Sequence, residues 1–268
     1  MRQFILEQNP DKSGLIVVNG KDYRYLRQVL RVKPGDMISV RLLDGELKNS
    51  TVALVDEKSK KITLQLCADT QVVQNDKSIT RGVQASELEE NKSILQKEYW
   101  LFQFIPKAQK FEQIVRQATE CGVKYIVPVI GEYSEKNSVN ALLNSKTERI
   151  ERIIKEARQQ SGSPVETKML SPVKLDKALE EWNKNDGKIG FVLSERDDTD
   201  GDIRKILASG GKFDKIGIVV GSEGGLSPAE VEELIKKGLF HAIHFSVNIL
   251  RCETAALYGI AAVQTAVN

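Results

Sequence analysis

The spacing of hydrophobic and polar positions changes once along the chain. Up to about residue 73 the apolar residues come in short runs, at 14–18, 36–43, 51–55 and 61–67, and each run predicts a strand. Lys33-Pro34-Gly35-Asp36 and Asp44-Gly45 supply turn chemistry between them. Strands this short and this closely spaced imply a small β-barrel or sandwich. One helix interrupts them, over 23–32. There Leu26, Val29 and Leu30 share a side, and Arg24, Arg27 and Arg31, spaced i, i+3, i+7, share the opposite one. A basic face of this kind is either merely solvated or grips an anionic partner, and the spacing does not choose. Residues 74–97 are polar and weakly periodic, which marks a linker or surface insertion and the domain boundary.

From residue 99 the pattern becomes strand and helix in alternation, the signature of a parallel sheet covered on both faces. Strands are predicted at 99–105, 125–129, 188–193, 215–220 and 242–245. Between them, Phe111, Ile114, Val115 and Ala118 line one helix that Gly122 stops, and Ile150, Ile153, Ile154 and Ala157 line another that Gly162 stops. Capping boxes at Ser145/Glu148 and Ser227/Glu230 define two helix starts, the second with Pro228 at its first position. The final helix, from about Glu253, is apolar nearly all round, so it belongs in the core or at a subunit contact. There is no repeat of fixed period and no low-complexity tract.

A length of 268 residues allows roughly two domains, at about 150 residues each. Lys and Arg number 39 against 37 Asp and Glu, a net +2, which excludes a chain that holds nucleic acid by bulk charge. Any such surface must be local. Positions 1–75 carry twelve basic and nine acidic residues, a balance of +3, which leaves the remainder at −1. No apolar run reaches the roughly 18 residues of a membrane span. Glu7 arrives before a signal-peptide core could develop. Cys67, Cys121 and Cys252 are odd in number and far apart, which fits neither a disulfide framework nor a zinc site. A cytoplasmic protein without membrane or metal is the expectation.

Three strand ends hold candidate chemistry. After the strand at 215–220 comes Gly221-Ser222-Glu223-Gly224-Gly225, leading into the helix capped by Ser227. Glycines at the carboxyl end of a parallel strand admit a ligand to the backbone, although a tight turn needs them equally. The spacing matches neither the phosphate-loop nor the dinucleotide motif. Next, residues 245–251 end in Arg251 at the start of the final helix, where the helix dipole already places positive charge. Something anionic is expected there, either Glu253 or a substrate group. The third end is Leu193-Ser194-Glu195, followed by Asp197, Asp198, Asp200 and Asp202, a run that reads as a solvated loop before it reads as a metal site. His241 and His244 point to opposite faces of a strand, so they cannot chelate together, and no nucleophile elbow is present.

These residues also carry a resemblance. The stretch 218–230 with its Gly221–Gly225 loop, and 248–256 (Asn248-Ile249-Leu250-Arg251-Cys252-Glu253-Thr254-Ala255-Ala256), resemble the two C-terminal motifs of the RsmE family of the SPOUT superfamily, methyltransferases acting on N3 of a uridine in 16S ribosomal RNA. Pro106-Lys107, Gln117 to Val123, Glu156-Ala157 with Gln160-Ser161-Gly162, and Val29-Leu30-Arg31 with Lys33, Gly35 and Asp36 are similar to its remaining motifs, in the same order.

The resemblance implies an α/β fold in two parts. Residues 1–73 would form a small N-terminal PUA-like β-barrel domain that binds RNA, 74–97 a polar linker or insertion, and 98–268 a SPOUT domain with a trefoil knot. The knot runs against the general rule for chain topology. S-adenosyl-L-methionine would lie against Leu193, Ser194, Glu195, Gly221, Ser222, Glu223, Gly224, Gly225, Ser246, Ile249, Leu250 and Arg251, with Arg251 catalytic. RNA would meet Arg24, Arg27, Arg31, Lys33 and Lys107. The partners implied are 16S rRNA of the small ribosomal subunit and a second copy of the chain in a homodimer. Four positions depart from the family: Ser222 stands for Pro, Ser246 for Gly, and Tyr133 and Ser163 for two arginines. The rival readings are an RNA-binding assembly factor without turnover and a ribose 2′-O-methyltransferase. No general base is assignable, and Glu253 is the one candidate.

Overall fold

The computed structural model of the chain describes residues 3–67, 97–144, 147–194, 202–209, 213–245 and 248–267. It divides into two compact units, Met1–Gly82 with Gln159–Gly162, and Val83–Arg158 with Ser163–Asn268.

In the first unit, strands β1 (Phe4–Ile5), β2 (Leu15–Val18), β3 (Met37–Arg41), β4 (Leu47–Asp56) and β5 (Lys61–Leu66) form one sheet in the order β1-β3-β4-β5-β2. All pairs are antiparallel except β1 with β3, and a bulge interrupts β4 between Val52 and Leu54. Alternate residues turn inward, as the period of a strand requires, so Ile16, Val18, Val40, Val52, Ile62 and Leu64 meet Phe4 and Leu26 in a single core. Gln159 accepts the Gln3 N–H on its main-chain carbonyl and the Ile5 N–H on its side-chain oxygen.

The helix expected at 23–32 is different in kind. A short helix, α1 (Gly20–Arg24), passes straight into a π-helical turn at Tyr25–Val29. Arg31 follows with φ of 57°, outside any helix, and Val29 is half exposed. The wider turn loses the helical phase and a left-handed residue ends it, so Arg24, Arg27 and Arg31 form no stripe. Arg27 is instead engaged: its guanidinium donates to the Val32 carbonyl at 2.8 Å and to Glu57 at 2.6 Å. Arg24, Arg31 and Lys33 are exposed.

The second unit is built on β6 (Glu98–Phe104), β7 (Tyr125–Ile130), β8 (Lys168–Met169), β9 (Val173–Lys174), β10 (Lys188–Leu193), β11 (Lys215–Val220) and β12 (Phe240–Ile243). Every pairing is parallel, in the order β12-β10-β11-β6-β7-β8, with β9 also on β7. The helices of this unit among the described residues are α2 (Ala108–Glu120), α3 (Lys136–Leu143), α4 (Thr147–Ser161), α5 (Leu175–Asn183), α6 (Ile203–Ser209), α7 (Pro228–Lys236) and α8 (Cys252–Val267). Two apolar cores form, one around Leu101, Phe111, Ile126, Phe191, Ile218 and Ile260, the other around Trp100, Phe102, Trp182, Val219 and Phe240. Burial on both faces explains why β11 reads as an apolar run and β6 as one broken at Gln103.

Ser227 and Glu230 make the expected capping box on α7, whereas Ser145 of the other box lies outside the described residues. Gly122 and Gly162 hold φ of 76° and 75° just past α2 and α4. β12 starts two residues earlier than the pattern places it, and β8 and β9, two residues each, are too short to leave a pattern. Helix α8 is not buried all round. Cys252, Ala256, Gly259, Ile260 and Val263 face the core, while Thr254, Tyr258, Ala261 and Thr265 are exposed. Among the described residues no helix is long and apolar enough to cross a membrane.

Candidate active site

Parallel strands all end at one edge, so the segments after β10, β11 and β12 converge there. Together with the start of α8 they enclose a pocket of about 710 Å³, within the common range for small-molecule sites. Leu193, Ser194, residues 221–225 and residues 249–251 all line it. Glu195 and Ser246 lie outside the described residues. Lys107 is an exposed residue at the start of α2, and Arg24, Arg27, Arg31 and Lys33 belong to the first unit.

The loop after β11 folds back on itself. A Cβ on Gly221 would stand 2.6 Å from the Gly225 carbonyl carbon, and Gly225 itself holds φ of 74°. The Gly225 N–H donates to the Ser222 carbonyl at 3.0 Å, and the buried Ser222 hydroxyl donates to the Tyr133 carbonyl at 2.9 Å. Gln103, fully buried at the end of β6, directs its amide at the carbonyls of Phe104 (2.9 Å) and Gly221 (3.0 Å). The loop is therefore anchored from two neighbouring segments before any ligand arrives.

Charged groups are sorted across the mouth of the pocket. The Glu223 carboxylate accepts the Lys107 main-chain N–H at 3.2 and 3.3 Å, at the positive end of α2. Lys110, one turn further along α2, places its ammonium 3.7 Å from Glu223 and 3.2 Å from Glu253. Glu253 also receives the Cys252 thiol at 3.3 Å. Burial pushes the Glu253 carboxyl up, but its own backbone N–H, the thiol and Lys110 outweigh this and hold it below the usual range. Burial works against the charge on Lys110 as well, and the bond to Glu253 with the nearby Glu223 raises it all the same.

The two readings of Arg251 now separate. Its main-chain carbonyl accepts N–H groups of Thr254 (2.9 Å) and Ala255 (2.7 Å), so it opens α8. Glu253 is taken by Lys110, not by Arg251. The Arg251 guanidinium is exposed, lines the pocket and has no hydrogen bond or ion pair among the described residues. His244 and His241 stay apart: the first has Nδ1 3.1 Å from the Ser194 carbonyl, the second lies beside the Phe191 ring. Of the acidic run, Asp202 accepts the Arg204 N–H at 2.8 Å at the start of α6, and Asp197, Asp198 and Asp200 lie outside the described residues. Among the described residues there is no group of three or more His, Cys, Asp or Glu arranged to hold a metal.

Lys110, which lines the pocket, and Gln103, which anchors its loop, are residues that sequence reasoning missed. Lys110 reads as one more polar position on an amphipathic helix, and Gln103 as a polar break in an apolar strand. Their partners lie far along the chain.

The sequence model of the RNA methyltransferase domain family matches residues 93–264. The chain belongs to the RNA methyltransferase family. That match takes in the whole parallel sheet and the pocket at its edge. Within the family, the chain is 27% identical to ribosomal RNA small subunit methyltransferase E 2 of Borreliella burgdorferi, over 97% of this chain and 96% of that one. It is 26% identical to ribosomal RNA small subunit methyltransferase E of Bacillus subtilis, over 98% and 96%. The fold agrees with that of a Neisseria gonorrhoeae ribosomal RNA small subunit methyltransferase E solved bound to S-adenosyl methionine, with a TM-score of 0.73 at 24% identity over 99% of this chain and 97% of that one. A Legionella pneumophila methyltransferase, solved with the same cofactor, gives 0.75 at 20% identity over 99% and 96%.

Proposed function

We propose that this chain transfers a methyl group from S-adenosyl-L-methionine to N3 of a uridine in 16S rRNA of the small ribosomal subunit. The observation that carries this reading is the end-to-end match to relatives named ribosomal RNA small subunit methyltransferase E. The residues present fit the cofactor. The pocket has the volume, and the loop 221–225 that lines it is held in a tight turn, where a Cβ on Gly221 would strike Gly225. Residues 221–225 and 249–250 would hold it with Leu193 and Ser194, joined by Glu195 and Ser246. When bound, S-adenosylmethionine supplies an activated methyl on a sulfonium sulfur.

The remaining tasks fall to the chain's own groups. N3 of uracil attacks only as its proton leaves, and negative charge then spreads to the two carbonyl oxygens. Arg251, cationic at the pocket and without an ion pair among the described residues, stabilises that charge, and its donors serve the developing oxyanion rather than a protein carboxylate. The start of α8 adds the positive end of the helix dipole. Most of the remaining acceleration is placement of N3 in line with the methyl. A paired uridine hides N3 in its hydrogen bond, so the target base is unpaired or extruded. Glu253, held ionised and engaged by Lys110, is a poor proton acceptor.

In this reading residues 1–73 form the PUA-like RNA-binding domain, 74–97 the connecting insertion and 98–268 the SPOUT domain with its trefoil knot. The protein works in the cytoplasm as a homodimer, with the exposed face of α8 near the contact.

Nucleoside mass spectrometry of 16S rRNA tests the activity. A strain lacking the gene loses 3-methyluridine and regains it from the wild-type gene but not from Arg251→Ala. An unchanged 3-methyluridine content sinks the reading. Loss of a 2′-O-methylated nucleoside would transfer it to ribose methylation, and intact methylation with defective subunit assembly would make the chain an assembly factor.

A further inference from the structure

Arg251 and Glu253 stand two residues apart at the same end of α8, yet they do not pair. The Glu253 side chain is only 13% exposed. An ionised carboxylate so placed takes whatever cation it can reach, because leaving it unpaired away from water is far costlier than the pairing. Two cations are candidates for it: Arg251, two residues back at the start of the same helix, and Lys110 on α2. Lys110 has it, at 3.2 Å. Arg251 is left without a partner among the described residues.

We propose that Lys110 is a positioning residue for methyl transfer: by holding Glu253 it keeps that carboxylate off Arg251 and leaves the guanidinium free for the substrate. This rests on the methyltransferase reading above. Lys110 does not itself present a free charge to the pocket, since it stands between Glu253 and Glu223. A guanidinium with a carboxylate on its fork has both its charge and its best donors occupied, so an Arg251–Glu253 pair would silence the group that serves the oxyanion. Removing the Lys110 charge does not release the pocket loop. Glu223 retains the Lys107 N–H, and Gln103 and Ser222 hold the rest.

The experiment compares Lys110→Met, Glu253→Gln, the double variant, Lys110→Arg and Arg251→Ala. With 16S rRNA as substrate, Lys110→Met loses about 100-fold in kcat, the loss expected for one oxyanion donor and matched by Arg251→Ala, while KM for S-adenosylmethionine is unchanged. Adding Glu253→Gln to Lys110→Met restores most of kcat, because the amide no longer neutralises Arg251. Lys110→Arg retains most of it. In parallel, phenylglyoxal modification of Arg251, followed by peptide mass spectrometry, needs no turnover: Lys110→Met slows it and the double variant returns it to the wild-type rate. A double variant as slow as the single one, with Arg251 equally reactive throughout, overturns the proposal and makes Lys110 an ordinary structural cation. If the wild-type protein methylates no RNA, the functional reading fails, and the modification pattern still decides which cation holds Glu253.

Discussion

Cys252 and Glu253 are neighbours whose surroundings drive them in opposite directions. The thiol is 5% exposed and donates toward a carboxylate, so burial first and the adjacent Glu253 second push it up to about 12. With its value raised so far, the thiol stays protonated at pH 8. Cys252 lines the pocket but is no nucleophile. Iodoacetamide at pH 8 is therefore expected to leave Cys252 unlabelled in the native protein and to label it after denaturation, as read by peptide mass spectrometry; rapid native labelling would contradict this. Glu253 goes the other way because it gains donors and a cation. Of the two positions that the resemblance expects to be arginine, Ser163 is buried and accepts the Val165 N–H at 3.3 Å, while Tyr133 is half exposed at the pocket and lends its carbonyl to Ser222.

At the scale of elements, the strands at 188–193 and 215–220 were readable from apolar runs alone, yet each contains a glycine that propensity counts against a strand. The aromatic core supplies the reason. A Cβ on Gly190 would enter the Phe240 ring, and one on Gly217 would stand 2.9 Å from that ring and 3.0 Å from Trp182. Phe240 and Trp182 are fully buried with Phe102 against both, so the ring has no vacant direction. Gly190→Ala is expected to destabilise the protein by about 1–3 kcal/mol through overpacking. The measurement is the denaturation midpoint, which should fall with little change in slope; an unchanged midpoint would mean that the ring moves freely. The helix expected at 23–32 runs instead over 20–29, and its basic face did not form. Periodicity assumes a constant turn, and the π-helical turn at Tyr25–Val29 changes it where Leu26 enters the core.

For the molecule as a whole, a net charge of +2 means that RNA must be gripped by particular residues. In the first unit Arg27 is committed to Glu57 and the Val32 carbonyl, whereas Arg24 and Arg31 are exposed and without partners among the described residues. Replacing Arg24 and Arg31 together by Glu should weaken RNA binding and flatten the dependence of log K on log salt by about two, one for each phosphate no longer neutralised. Calorimetry should find S-adenosylmethionine affinity unaltered, because the pocket residues belong to the second unit. An unchanged salt slope would mean that these arginines are only solvated.

The sequence by itself determined what depends on near neighbours: the change from short strands to alternating strand and helix, the helix stops at Gly122 and Gly162, the capping box of Ser227, and the three strand ends where ligands of parallel sheets bind. Its motifs, taken in order, also carried the family. Tertiary structure alone decided which charges meet. Lys110, Glu223 and Glu253 lie on three segments, Lys110 far along the chain from the other two, and no local spacing records that Lys110 meets both carboxylates. Nor could the sequence choose between Glu253 and a substrate as the partner of Arg251, because a carboxylate pairs with the cation that folding brings nearest. That cation is Lys110, and Arg251 has no hydrogen bond or ion pair among the described residues.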